Sequence, residues 1–331
     1  MVGALNQHEN SRVRGVQSMK QQSKPGNKIW TVLIILFILF LLGSLMAGMI
    51  NVFSGFQSGN DYEGEGNVAL IPLKGVLLTG EDSSFGMQGG SSSGKIVKQL
   101  EQAADNPDIK AIVLEINSPG GSGVAVDEVI ESLNDIKQNK TVVAWVRDVG
   151  ASAAYWVSIA TNYTVADRLS MVGSIGVIGS YLEYSGLLDH FNVTYRRLVS
   201  GKYKDMGSPY REMTSEEQAL EQQKLAVMHE VFIQDVAKYR HMDVKDVRKL
   251  ATGMVYLGTE AKDLGLIDEV GGKKDVIRYL EGHLNTTVSI VEYKEKKSVL
   301  DWLQNLQSQG LSKAEIAQLL FLDTEPRPSF S

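Results

Sequence analysis

Cysteine is absent from the 331 residues, so the chain has no disulfide, no thiolate nucleophile and no cysteine-held metal. Positive charge is also short: the net charge is −6, which argues against nucleic acid as a partner. No internal repeat interrupts the chain. Histidine is scarce, with five residues: His8, His190, His229, His241 and His283. His8 lies in the basic N-terminal tail, on the far side of the apolar run from the rest; the other four stand in no turn motif and read as surface residues. A Ser-His-Asp triad stays open but nothing favours it.

What remains is an ordinary globular composition, 43% apolar and 22% charged, with length for one large or two ordinary domains. Charge is unevenly spread. Residues 1–28 carry Arg12, Arg14, Lys20, Lys24 and Lys28 against Glu9, a charge of +4 that leaves −10 for the remainder. Ile29 to Ile50 then runs without a charge, its polar interruptions being Thr31 and Ser44. At about 1.5 Å per residue this length spans a hydrocarbon core of about 30 Å. A cleaved signal peptide is the nearest alternative, but its apolar region is typically only about 7–15 residues. The run reads as an uncleaved single-pass anchor. Its basic flank places residues 1–28 in the cytosol and the chain after Asn51 outside it.

Residues 51–66 read as a Gly/Ser/Asn-rich linker, 67–296 as the folded domain, and 297–331 as a helix with a flexible Pro-containing tail. Within the domain, Val68–Leu73, Ala111–Ile116, Thr141–Val146, Asn162–Ala166, Val193–Val199 and Thr287–Tyr293 read as strands. Residues 79–94 read as a mobile loop. Helices are expected at Lys95–Ala104, Val124–Lys137, Ala153–Ala160, Thr214–Arg240, Val244–Ala251, Thr259–Gly265 and Asp275–His283. A capping box, Thr214 with Glu217, opens the long one. Alternating strands and helices imply an α/β fold with a largely parallel sheet.

Three glycine-marked loops follow strand ends, at 117–123, 149–153 and 173–176. Functional groups gather at that end of such sheets. The 117–123 loop lacks P-loop spacing and does not match Gly-x-Gly-x-x-Gly, so nucleotide binding is rejected. Its backbone N–H groups suit an oxyanion hole instead. Ser152 sits at a strand-to-helix turn, where a hydroxyl lies beside the free N–H groups of a helix. Alone, it also reads as an ordinary N-cap. Without histidine, a lysine serves as base if its pKa falls from about 10.4 toward neutrality. Lys202 and Lys204 stand out in their Gly/Ser-rich loop.

Gly150-Ala151-Ser152-Ala153-Ala154-Tyr155, Asn117-Ser118-Pro119-Gly120-Gly121, Gly173-Ser174-Ile175-Gly176 and Ser200-Gly201-Lys202-Tyr203-Lys204 stand in the order and spacing of the signal peptide peptidase A family. Gly253-Met254-Val255-Tyr256 through Gly265-Leu266-Ile267-Asp268 also resembles it. The resemblance implies a membrane-bound serine protease with a Ser/Lys dyad on a Clp-protease/crotonase-like core. It implies Ser152 as nucleophile, Lys204 as general base, and Ser174 as the hydroxyl holding the lysine amine. Gly121 and Ala153 would form the oxyanion hole, with Gly120 nearly as good. Lys202 is the rival to Lys204, which is preferred because it follows the motif's tyrosine. Substrates would be signal-peptide remnants and other unfolded or hydrophobic peptides, with no metal or other cofactor. A single core copy resembles the short form, expected as a homo-oligomeric ring with a dyad shared between subunits. A crotonase-type acyl-CoA enzyme and an inactive membrane scaffold are the alternatives.

Overall fold

The structure, a computed structural model, describes residues 33, 35–40, 43–44, 62–63, 65–80 and 90–293. Two compact units divide the chain, residues 1–59 and 60–331. In the first, residues 33, 35–40, 43 and 44 are helical. Among the described residues no helix is long and apolar enough to cross a membrane. The expected anchor at 29–50 lies largely outside the described residues, as do the basic tail, most of the linker and the stretch 297–331.

The second unit is a mixed α/β fold around a nine-stranded, mainly parallel sheet. Its centre is β2 (Val68–Lys74), β5 (Ala111–Ser118) and β6 (Thr141–Ala151), paired in parallel as Val68↔Ala111 and Ala111↔Thr141. On one side β2 leads to β11 (Ile290–Tyr293) and then to β1 (Tyr62–Glu63), which runs antiparallel; on the other, β6 leads to β7 (Tyr163–Ala166) and β10 (Glu269–Val270). The central strands are continuous apolar runs rather than alternating ones because both faces are covered. Helices α1 (Ser93–Asp105), α2 (Gly123–Ile136) and α3 (Ala153–Ile159) close one face, where Ile112, Leu114, Ile116 and Val142 meet Leu100, Val129, Leu133 and Tyr155. On the other, Val113 and Val143 share a core with Val276 and Leu280 of α8 (Lys273–Leu284).

Between these lie α4 (Ser185–His190), α5 (Ser215–Arg240), α6 (Val244–Leu250) and α7 (Gly258–Asp263). Helix α5 starts with the expected capping box: Thr214 Oγ1 accepts the Glu217 N–H at 3.2 Å, and Glu217 Oε2 accepts the Thr214 N–H at 2.9 Å.

Several expectations are corrected. Residues 193–199 form no strand; their β-branched run has no neighbouring strand to pair with among the described residues, and Val193, Tyr195, Leu198 and Val199 are exposed. The end of the supposed 79–94 loop is ordered: β3 (Leu77–Leu78) pairs with β4 (Ser91–Ser92), and α1 begins at Ser93 with Ser92 as its N-cap. Residues 81–89 lie outside the described set. Strand β6 continues past Val146 to Ala151, and β9 (Val255–Leu257) pairs antiparallel with β8 (Met171–Gly173).

Candidate active site

Sheet register brings the three glycine-marked loops together. Ser118 of β5 lies opposite Gly150 of β6, Gly150 opposite Val172 of β8, and Ala151 opposite Gly173. Just past these pairs the chain turns at Ser152, whose N–H donates to the Gly173 carbonyl at 2.8 Å. Ser152 is the N-cap of α3 with φ 52° and ψ −124°, and its hydroxyl makes no capping bond. An ordinary N-cap has an extended backbone and uses its oxygen on the helix. Ser152 does neither. Its backbone is in a region that costs a non-glycine residue about 1–3 kcal/mol, and such strain gathers at functional sites.

Gly120 faces this turn. With φ +119°, a Cβ there would lie 2.8 Å from Ser152 Cβ, 3.1 Å from the Ala151 oxygen and 3.2 Å from the Ala153 nitrogen. Only glycine fits this approach. The Gly120 N–H donates to Ser118 Oγ at 3.2 Å, while its carbonyl accepts the Leu77 N–H at 2.9 Å. Gly121 is held beside Leu77 in a parallel bridge. The N–H groups of Gly121 and Ala153 have no acceptor among the described residues. Gly120 is thereby set apart from Gly121 as a donor toward an incoming oxygen.

Ser174, also at positive φ (53°), follows directly: its N–H donates to the Met254 carbonyl at 2.8 Å, and its side chain is half-buried. Helix α3 is fixed from behind. Tyr155 is fully buried and donates to the Leu266 carbonyl at 2.9 Å, and burial pushes its phenol pKa up. Trp156 stacks on Phe232 of α5 at 4.3 Å and donates its indole N–H to Asp235 at 2.8 Å.

The lysines are elsewhere in this chain. Lys202 Nζ is held by both oxygens of Glu216 (2.7 and 2.5 Å), and this carboxylate raises its pKa. A lysine so paired stays protonated and is a poor base. Lys204 is exposed, and its amine has no hydrogen bond or ion pair among the described residues. Their loop is anchored to the first turn of α5 through Lys202–Glu216 and Arg211–Glu217. Helix α5 meets α3 at Phe232, about four turns further along, roughly 22 Å at about 1.5 Å per residue. Ser152, Ser174, Gly120, Gly121 and Ala153 thus cluster, while among the described residues no hydrogen bond joins Lys204 to either serine. Sequence reasoning passed over Leu77; its signal was the short apolar run Val76-Leu77-Leu78 just after the first strand.

A strained serine at a strand-to-helix turn, beside glycine N–H groups on a parallel-rich sheet of this topology, defines a Clp-protease-like serine hydrolase. The Clp protease family profile matches residues 88–178, and that of Peptidase family S49 matches residues 134–287. A candidate protease of Methanocaldococcus jannaschii is 33% identical over 80% of this chain and 86% of its own length. A candidate signal peptide peptidase SppA of Enterococcus faecium is 31% identical over 81% of this chain and 82% of its own. Protease 4 of Haemophilus influenzae is 27% identical, over 68% of this chain and 36% of its own length. The chain belongs to peptidase family S49, and it is a serine protease.

Proposed function

We propose that the protein is a membrane-anchored endopeptidase that cleaves signal-peptide remnants and other unfolded or hydrophobic peptides outside the cytosol. Ser152 attacks the peptide carbonyl as Lys204 takes the serine proton; the C–N bond breaks, the proton passes to the leaving amine, and water then hydrolyses the acyl-enzyme, while Ser174 holds the lysine amine. The N–H groups of Gly121 and Ala153 receive the oxyanion. The observation that carries this is Ser152 itself: strained, at a helix start, and with its hydroxyl uncommitted to capping. No metal or other cofactor enters the reaction.

The anchor rests on the uncharged run from Ile29 to Ile50 and the basic residues before it. In the helical residues within that run, Leu33, Leu36, Phe37 and Phe40 are each more than half exposed. A tether suits an enzyme whose substrates are left in the bilayer.

Assembly follows from the placement of Lys204. Its loop is tied to the end of α5 away from α3, and its amine has no partner among the described residues. The arm before it, residues 177–199, exposes Ile178 (90%), Leu182 (71%), Phe191 (66%) and Leu198 (95%). Apolar exposure on that scale fits burial against a second copy. A closed ring would then set Lys204 of one subunit beside Ser152 of the next. Mixing Ser152→Ala subunits with Lys204→Ala subunits, each inactive alone, tests this. Partial activity in the mixed assembly is expected; co-assembled rings that stay inactive would place the dyad within one chain.

A further inference from the structure

The polar side chains next to Lys204 in sequence, those of Lys202, Tyr203 and Asp205, are all bonded. Lys202 and the Tyr203 hydroxyl both bind Glu216. Asp205 is gripped by two guanidinium forks: Arg197 donates from Nε and Nη2 at 2.6 Å each, and Arg211 from Nε and Nη2 at 3.0 and 3.1 Å. The same arginines take the backbone. Arg197 Nη2 donates to the Lys202 carbonyl at 3.0 Å and Arg211 Nη2 to the Asp205 carbonyl at 3.3 Å. Arg211 then forks onto Glu217, at 2.9 Å from Nη1 and 2.6 Å from Nη2, and Glu217 is the capping-box residue of α5. The carboxylates are shielded, with side-chain exposures of 12% for Asp205 and 5% for Glu217. Bidentate pairs of this kind fix geometry as well as charge. An arm with most of its apolar residues exposed has little packing of its own to do this.

We infer that Arg197, Asp205, Arg211 and Glu217 form a clamp that presents the Lys204 amine, which has no hydrogen bond or ion pair among the described residues, and that Asp205 and Arg211 are positioning residues for the proteolytic reaction. The clamp fixes the peptides on both sides of Lys204 to the start of α5. The lysine amine is thereby carried on a rigid helix end rather than on a free loop. This rests on the reading of Lys204 as the base.

The test uses the full-length enzyme, with kcat and KM for a peptide substrate measured from about pH 6 to 10. Asp205→Asn, Arg211→Gln, their double variant and Lys204→Ala are compared with wild type on assembled fractions. Asp205→Asn is expected to lower kcat about 10²-fold, because small displacements of a catalytic group have effects of that size. KM stays within about twofold and the rising limb of the pH profile moves, which a purely structural change would not produce. The double variant loses no more than the worse single one, since both break one unit. Wild-type kcat and profile in Asp205→Asn, with Lys204→Ala inactive, overturns the clamp and leaves the base reading standing. Full activity in Lys204→Ala overturns the base reading and the clamp with it. If circular dichroism shows that Asp205→Asn does not fold, Arg197→Gln removes only one fork and carries the same prediction at smaller size.

Discussion

Gly120 and Ser152 meet so closely that a Cβ added at 120 would stand 2.8 Å from the serine Cβ. The two residues come from different strand ends, and their contact sets the floor of the site. Gly120→Ala meets a clash with the backbone of residues 151 and 153 and a φ of +119° that alanine resists. We expect about 1–3 kcal/mol of destabilisation in urea unfolding. Fluorophosphonate labelling of Ser152 should fall at least about tenfold. Unchanged labelling would show that the loop relaxes without disturbing Ser152.

Ser152 carries strain that a glycine would release. Both Ser152→Ala and Ser152→Gly should abolish labelling and peptidase activity. The glycine variant should be the more stable of the two, by about 1 kcal/mol, because it adopts φ 52°, ψ −124° freely. Equal unfolding midpoints for the two would argue that the turn is unstrained.

The two lysines of one loop should behave differently. Lys204→Ala should abolish turnover. Lys202→Ala should leave most of it, since that amine already serves Glu216. Ser174→Ala should fall between, on the order of 10–1000-fold down, as expected of an orienting hydroxyl. In wild type, kcat/KM should rise with pH, because the neutral amine is the form that accepts a proton. A rate that declines toward alkaline pH sinks the lysine as base.

Glu217 gives a stability signature in acid. Hydrogen bonds from Arg211 and from the Thr214 backbone hold its pKa down to about 2. A carboxylate with a folded pKa below its unfolded value of about 4.3 stabilises the fold above that value. The contribution is lost as pH falls through the folded value. The urea midpoint of wild type should therefore exceed that of Glu217→Gln by a constant gap above about pH 5, and the gap should close toward pH 2. A gap that is the same at pH 7 and pH 2 would mean that the Arg211 pair adds nothing ionic.

Trp156 joins the helix that starts after Ser152 to α5. Trp156→Phe keeps the stacking on Phe232 but leaves Asp235 without its indole donor, near Asp127, whose own pKa is raised by burial and by Asp235. A loss of about 1–3 kcal/mol in unfolding free energy is expected. A neutral substitution would mean that water replaces the donor.

Much of the fold was legible because its signals are local or doubly buried. The strands β2, β5 and β6 read as apolar runs since both faces of a parallel sheet are covered. Thr214 and Glu217 are three residues apart, within the span of one helical turn, so their capping box needed no tertiary information. Residues 193–199 misled for the opposite reason. Their composition suits a strand, yet a strand exists only where another offers its backbone, and none does among the described residues. The short strands β3, β8 and β9 were hidden because two or three residues carry no period.

By itself the sequence determined the class of the sheet, the three glycine turns at strand ends, and the serine at a helix start. Each follows from propensities and spacings acting over a few residues. The tertiary structure decided the rest: that Ser118, Gly150 and Val172 fall side by side, that Gly120 presses on Ser152, and that Ser152 Oγ is left uncapped. It also separated Lys202 from Lys204, through a carboxylate on another element at Glu216. Register and ion pairing join residues far apart in the chain, and packing alone selects which of them meet.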